Sequence, residues 1–512
     1  MKQKRLIVNL ISTSIAFIVQ FGVNFFLTPY IINSLGSEAY SYIPIANNFV
    51  GYTNIITVAF YSMTGRFVSI EYNQKKYSEA TKYFNSALIS NCFLVLILVF
   101  PALVFTVEIE HIINVPVEFV SDVKLTFGLS FANMLLTLSA AAFGSVYYVT
   151  NRLDINAKRN IEGNILRAII LIGMFSLLPV KIYYLNATIL LVGIYLVCMN
   201  IYYTRKLMPE IRVNFRASSL SAIKTMLSSG IWNSLNQASN IMLTTLDLFL
   251  ANLFAGSYAA GLYSVSKTVP NFILSIITML VGVFVPQLTI YFAKQKKRQL
   301  NKMLSYSIRF MGVVCSFPIG FLIIFGKDFF QLWVPTQNSS YLHILSILTL
   351  IPLAISCCTE VVYNIFTIVN KLKVPAFVLF GLGILNTIGV LVLLNFTSLG
   401  VIAIPIVAII VSVLRNLIFT PIYASRFCLS ISNSYIYIAI ARGLLCTLIM
   451  VIISMLYRKF IYFANTWSLF ILAAIVCSIC AAAVNFFVIF DKDERREFSR
   501  SLLSKMDFLR RK

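Results

Sequence analysis

Most ionisable residues of this chain lie outside its long apolar stretches, so the few that lie inside them define what chemistry it has. A charge within a membrane-length apolar segment is costly and points to function unless it sits near a helix end, where long side chains snorkel to the interface. Asp247 and Lys267 are the deepest such charges. They fall on consecutive antiparallel segments, about 10 and 14 Å from the same end, which suits an ion pair. That pair either neutralises itself to tie two helices together or sets a cavity charge that binds substrate or couples to protons. Glu360 and Arg415 form a second depth-matched set, roughly 14 Å from the opposite end of their segments, with the same two roles open. Arg167, Arg309 and Arg442 lie within about two turns of an inner helix end and are expected to snorkel. Arg66 stands at the inner mouth of the second segment, where it anchors the helix or catches an anionic headgroup. The first half instead supplies neutral groups, Gln20, Asn24, Asn47, Asn48 and Asn54. These either hydrogen-bond between helices or line a wet cavity.

No catalytic constellation accompanies these residues. His111 and His343 lie in separate regions without a partner in sequence, and no Walker A lysine motif is present. Cys477 and Cys480 form a C-x-x-C, but inside an apolar stretch, where a reactive thiolate is suppressed. No metal or cofactor is expected, and the pattern points to transport across a membrane driven by an ion gradient, the membrane potential or downstream consumption.

The elements that position these residues follow from composition. The 512 residues are 59% hydrophobic and only 12% charged, against about 25% charged in a soluble domain. About 20 apolar residues cross a bilayer. The sequence predicts an all-α membrane protein of fourteen spans: 6–34, 39–65, 85–106, 123–148, 163–180, 183–203, 226–254, 258–286, 305–326, 343–370, 375–395, 398–424, 436–458 and 465–490. The first is read as a retained span, too long for a signal peptide. Prolines at 29, 44, 270, 286, 352 and 405 interrupt spans as hinges do. The net charge of +23 is topogenic. Only Lys124, Lys181, Lys327, Arg458 and Lys459 fall in outer loops; the other loop and terminal cations fall on the inner side, which puts both termini in the cytoplasm. Anionic lipid is therefore an expected partner and nucleic acid is not.

An internal repeat appears at a shift of 221, where Tyr42 meets Tyr263, Ile55-Ile56-Thr57 meets Ile276-Ile277-Thr278, and Gln74-Lys75-Lys76 meets Gln295-Lys296-Lys297. The expected organisation is an N-terminal six-helix bundle over 1–204 and a cytoplasmic linker over 205–225 with an amphipathic surface helix. A second six-helix bundle follows over 226–426, then two further helices over 427–490 and a basic cytoplasmic tail over 491–512. Parallel repeats of this kind hold a substrate site between them.

The segment Asn24 to Tyr40, NFFLTPYIINSLGSEAY, resembles the opening hairpin of polysaccharide flippases of the multidrug/oligosaccharidyl-lipid/polysaccharide (MOP) superfamily, of the Wzx type that moves O-antigen or capsule repeat units. Leu246 to Lys267, LDLFLANLFAGSYAAGLYSVSK, is similar to that family's seventh span and turn, and Asn370-Lys371-Leu372-Lys373 with Asn386 and Gly400 to its later helices. The resemblance implies two bundles in a V around a cationic cavity, alternating access, and an undecaprenyl-pyrophosphate-linked oligosaccharide as cargo. It implies that Lys267, Arg415, Arg66 and Arg309 meet the pyrophosphate. Asn24, Asn48, Tyr42 and Tyr263 would then face sugars, while Asp247 and Glu360 serve as charge-pair or ion-coupling groups for H+ or Na+. A polysaccharide polymerase and a chain-length regulator are expected neighbours. The first span lacks a mid-span Arg, which argues against a peptidoglycan precursor. A drug/cation antiporter of the same superfamily is the competing reading, disfavoured by the balance of deep charges. A membrane polymerase or ligase is the other, disfavoured by short outer loops.

Overall fold

The computed structural model describes residues 2–369, 371–461 and 466–489, and among them there is no strand. The basic tail expected over 491–512 lies outside the described residues. The longer helices are α1 (Lys2–Tyr52), α2 (Asn54–Asn73), α3 (Tyr77–Val107), α4 (Val120–Ser139), α5 (Leu153–Leu177), α6 (Tyr184–Leu207) and α7 (Leu220–Asn240). They continue with α8 (Leu246–Ala293), α9 (Lys297–Trp333), α10 (Ser339–Ile368), α11 (Lys373–Phe396), α12 (Ala403–Val413), α13 (Asn433–Phe460) and α14 (Trp467–Ile489). In lipid every backbone N–H and C=O must be satisfied within the segment, and helices do this for any sufficiently apolar run.

Twelve segments of the described residues are long and apolar enough to cross a membrane, where the sequence predicts fourteen. The difference lies in two of them, Ile11–Tyr52 and Ile231–Phe292, of 42 and 62 residues. Each is interrupted by one glycine in a left-handed conformation, Gly36 (φ 83°, ψ 161°) and Gly256 (φ 87°, ψ 166°). A side chain with a Cβ is strained there, so these two glycines let the chain turn without a loop.

The repeat is visible in the backbone, one residue away from the register read in the sequence. Gly36 and Gly256 are 220 apart. So are the left-handed residues Lys75 and Gln295, and the first residues of α3 and α9, Tyr77 and Lys297. The turn bonds repeat too: the N–H groups of Lys75 and Lys76 reach Tyr72 and Glu71 carbonyls, those of Gln295 and Lys296 the Phe292 and Tyr291 carbonyls. The Gln-Lys-Lys triplets that match at 221 are therefore out of register; the turn is set by which residue takes positive φ, and composition in a short basic loop does not record that.

The described residues group into two compact units. The first runs through Val265 and takes in Ala376–Ile404; the second comprises Ser266–Pro375 and continues from Pro405. Within the first unit, α3 buries Ala80, Phe84, Ala87 and Leu88, while Phe93, Leu96 and Phe100 stand exposed on the surface available to lipid. Buried Asn85 fastens the segment after α6, accepting from the Asn214 N–H at 2.8 Å and donating to the Arg212 carbonyl at 2.9 Å. The sequence predicts a separate surface helix near 218–226; instead Leu220 already opens α7, with the Ser219 N–H bound to Ser86 at 3.0 Å. In the second unit α9 packs on α13 through glycines. A Cβ at Gly312 would come 2.4 Å from the Gly443 Cα, the close backbone approach that small residues allow between membrane helices.

Candidate functional site: charged and amide groups within the helices

In the first unit, α1 and α5 run side by side and are tied at two levels. Near their starts, Asn9 donates to the Asn151 side-chain oxygen at 2.9 Å and accepts from the Asp154 N–H at 3.1 Å. Farther along, Arg167 Nη1 reaches the Asn24 side-chain oxygen at 3.5 Å. The sequence predicts a span from 163, which leaves Arg167 close to a helix end. In the structure α5 starts at Leu153, so Arg167 lies fourteen residues in, about 21 Å along the axis. The Arg167 Nε is buried without an acceptor. Asn156, Asn160 and Asn164 precede it at four-residue spacing on the same face, and the Asn160 and Asn164 amides each donate to the helix carbonyl four residues back at 2.9 Å. Beside this stripe, Arg159 pairs with Glu162 at 2.8 Å, and Tyr195 of α6 donates to the same carboxylate. Sequence reasoning missed this cluster because the polar first turns of α5 read as a loop; the i, i+4, i+8, i+11 spacing of Asn156, Asn160, Asn164 and Arg167 was the available signal.

The turn between α7 and α8 is π-helical over Ile241–Thr245. A π-turn shifts the hydrogen-bond register and leaves carbonyls to be satisfied by side chains. Asn48 and Tyr52 of α1 both donate to the Thr245 carbonyl, at 3.1 and 3.3 Å, and Asn386 of α11 donates to the Met242 carbonyl at 3.0 Å. Two residues on, Asp247 is buried and accepts from the Tyr263 hydroxyl at 3.2 Å, also buried. These two meet because the chain turns between them at Gly256. Lys267, expected to pair with Asp247, follows the turn at Gly256, is half-buried and belongs to the second unit.

Around Gly36 and Gly256 the first unit is closely knit. Buried Tyr42 donates to the Asn114 carbonyl at 2.9 Å, Asn114 and Asn252 exchange bonds of 2.7 to 3.2 Å, and Ser257 donates to Glu38. A Cβ at Gly261 would sit 2.4 Å from the Ser37 carbonyl oxygen. Because the obstacle is backbone, it cannot rotate away. Gly261→Ala is expected to destabilise the protein by about 1–3 kcal/mol, read as a lowered Tm of the purified protein; an unchanged Tm would show that the two segments part easily.

Arg66 is exposed at the edge of a recess of about 210 Å³ that Gly144, Ser145 and Tyr148 also line. In the second unit, Arg415 Nη2 lies 3.6 Å from Glu360 Oε2 and its guanidinium stands 5.0 Å over the Tyr363 ring. Arg415 lies in a second π-helical turn, Leu414–Phe419. Arg309 is only 3% exposed, and its Nη1 donates to the carbonyl of Ile489 in α14. The structure thus brings Glu360 to Arg415, Tyr263 to Asp247, and Arg309 of α9 to α14.

Twelve apolar segments, an internal repeat at matched backbone positions and ionisable groups held inside the helices define a multi-pass α-helical membrane protein with a transporter fold. The chain belongs to the polysaccharide biosynthesis protein family, whose family model matches residues 6–292. Membrane protein EpsK of Bacillus subtilis (strain 168) is 25% identical over 492 residues, 96% of each chain. Among solved structures, lipid II flippase MurJ in an inward closed conformation superposes with a TM-score of 0.66 at 14% identity, covering 93% of this chain and 98% of that one. An inward-facing multidrug resistance MATE family transporter of the MOP superfamily superposes at 0.59 with 14% identity, covering 82% and 98%. These findings agree with the resemblance read from the sequence in family and in fold.

Proposed function

We propose that this chain flips an undecaprenyl-pyrophosphate-linked oligosaccharide repeat unit, an O-antigen or capsule precursor, from the cytoplasmic to the outer leaflet of the cell membrane by alternating access. The observation that carries this reading is the likeness to a flippase fold over 93% of a chain whose family is polysaccharide biosynthesis. In this reading two six-helix repeats work against each other, both termini are cytoplasmic, and the protein is a transporter with no enzymatic step. Lys267, Arg415 and Arg66 supply positive charge for the pyrophosphate, and Asn24 hydrogen-bonding capacity for sugar. Asn48, Tyr42 and Tyr263 already hold backbone or carboxylate partners, so their part is to shape the wall. Asp247 and Glu360 are the carboxylates through which H+ or Na+ would couple.

The test is glycan export in cells deleted for their own flippase and matched to its glycan, complemented with this chain, Lys267→Ala or Asp247→Asn at equal membrane levels. Restored surface polysaccharide with the wild-type chain, lost in the two variants, is the expected result. Acquired drug resistance without glycan export would overturn the reading in favour of an antiporter.

A further inference from the structure

We propose that Arg167 is a phosphate-binding site inside the membrane, with the asparagine stripe of α5 as the adjoining surface for sugar hydroxyls. The proposal rests on the flippase reading for its ligand, a lipid-borne diphosphate. Arg152, Arg159 and Arg415 each face a carboxylate, at 2.9, 2.8 and 3.6 Å. Arg167 faces none within salt-bridge distance among the described residues. Its hydrogen bond to Asn24 is long and neutral, and its Nε is buried with no acceptor. A guanidinium in hydrocarbon needs compensating negative charge, and a membrane-embedded arginine lacking it points to a functional site.

The internal repeat supplies an independent comparison. The turns leading into α5 and α11 match at a shift of 219: the Arg152 N–H bonds the Tyr147 carbonyl, and the Lys371 N–H bonds the Phe366 carbonyl. This register places Asn386 opposite Arg167. Asn386 donates to the backbone carbonyl of Met242, in the π-helical turn after α7, where Arg167 donates to the Asn24 side chain, and it does so with a neutral amide at the shorter distance of 3.0 Å. Stitching these two helices together therefore does not call for a guanidinium. The charge at 167 is in excess of what packing requires, and its planar fork is matched to phosphate oxygens. Asn156, Asn160 and Asn164 extend from it along about 16 Å of the same helix face. That is the scale of a short oligosaccharide; the Asn160 and Asn164 side-chain oxygens can accept from hydroxyls, and the Asn156 oxygen, which takes the Asn160 amide at 3.2 Å, keeps a second lone pair.

The experiment uses the full chain in neutral phosphatidylcholine nanodiscs, titrated with a fluorescent polyprenyl-diphosphate disaccharide and with the same disaccharide on a polyprenol lacking phosphate. Wild type is expected to bind the diphosphate form at least about tenfold more tightly than Arg167→Gln, with Arg167→Lys, which keeps the charge but not the fork, in between. Wild type is expected to bind the phosphate-free ligand at least about tenfold more weakly than the diphosphate form, an arm that needs no variant to fold. Equal binding of the two ligands by wild type, or unchanged diphosphate binding in a folded Arg167→Gln, overturns the site and leaves the flippase reading standing. No diphosphate binding by wild type overturns the flippase reading itself. Repeating the titration with phosphatidylglycerol in the nanodisc separates the two phosphate sources. Undiminished cargo binding supports the cargo site, whereas an Arg167-dependent bound phosphatidylglycerol that blocks cargo assigns the site to a headgroup and overturns it.

Discussion

Arg309→Ala is expected to lower the Tm and the yield of folded protein while leaving glycan export per folded molecule close to wild type. The guanidinium is buried on α9 and donates both to the Ser305 carbonyl of its own helix, at 3.2 Å, and to the Ile489 carbonyl of α14. It thereby ties two packed helices together with charge-assisted bonds, which are stronger than neutral ones. Truncation removes the bond across the helix pair, at about 1.5–3 kcal/mol. Arg309→Lys restores the charge but not the fork, so an intermediate Tm is expected. The pair of measurements separates this anchoring role from a role in the cargo site. A normal Tm with export abolished would return Arg309 to the cargo-binding set implied by its family resemblance.

What the sequence reveals and what it hides have physical reasons. Spans are legible because crossing a bilayer requires a long apolar run whatever its packing, and the breaks between predicted spans at 35–38 and 255–257 contain Gly36 and Gly256, which take the left-handed backbone that turns the chain. The depth of Arg167 is not legible. The first ten residues of α5, with Asp154, Asn156, Lys158, Arg159 and Asn160, are polar enough to read as loop, yet they are helical because α1 and α6 supply partners such as Asn9 and Tyr195. Nor is the use of Asn48 legible. Its partner is a carbonyl that matters only because the backbone goes π-helical at Ile241–Thr245, a feature no local propensity announces. The register of the repeat fails for the same reason: identity of side chains in a basic loop says little about which residue turns the chain. Arg309 shows the opposite limit, since distance from a helix end is visible in sequence but the neighbour across the packing interface is not.

Glu360→Gln and Arg415→Gln are each expected to impair folding more than the double substitution does, and all three are expected to abolish export. The side chains are 29% and 20% exposed, and the ions stand 3.6 Å apart. Exposed pairs contribute about 1 kcal/mol or less, while breaking a fully buried pair costs about 3–5 kcal/mol because it leaves an uncompensated charge. An intermediate setting predicts roughly 2 kcal/mol for either single change, set between those bounds. Removing both charges leaves nothing to compensate, so the double variant should recover most of the lost Tm, and the shortfall from additivity measures the coupling. The guanidinium over Tyr363 moderates the Glu360→Gln penalty, because the ring face still offers the cation a partner. Arg415→Gln is therefore expected to be the worse-folded single variant, stranding a carboxylate with no such substitute. Export discriminates the remaining question. A folded double variant that still exports glycan would reduce the pair to a tie between α10 and the π-helical turn after α12, with no part in the cargo or ion path. A folded double variant without export requires that at least one of the two charges acts on cargo or coupling ion, because the tie itself has then been shown to be dispensable.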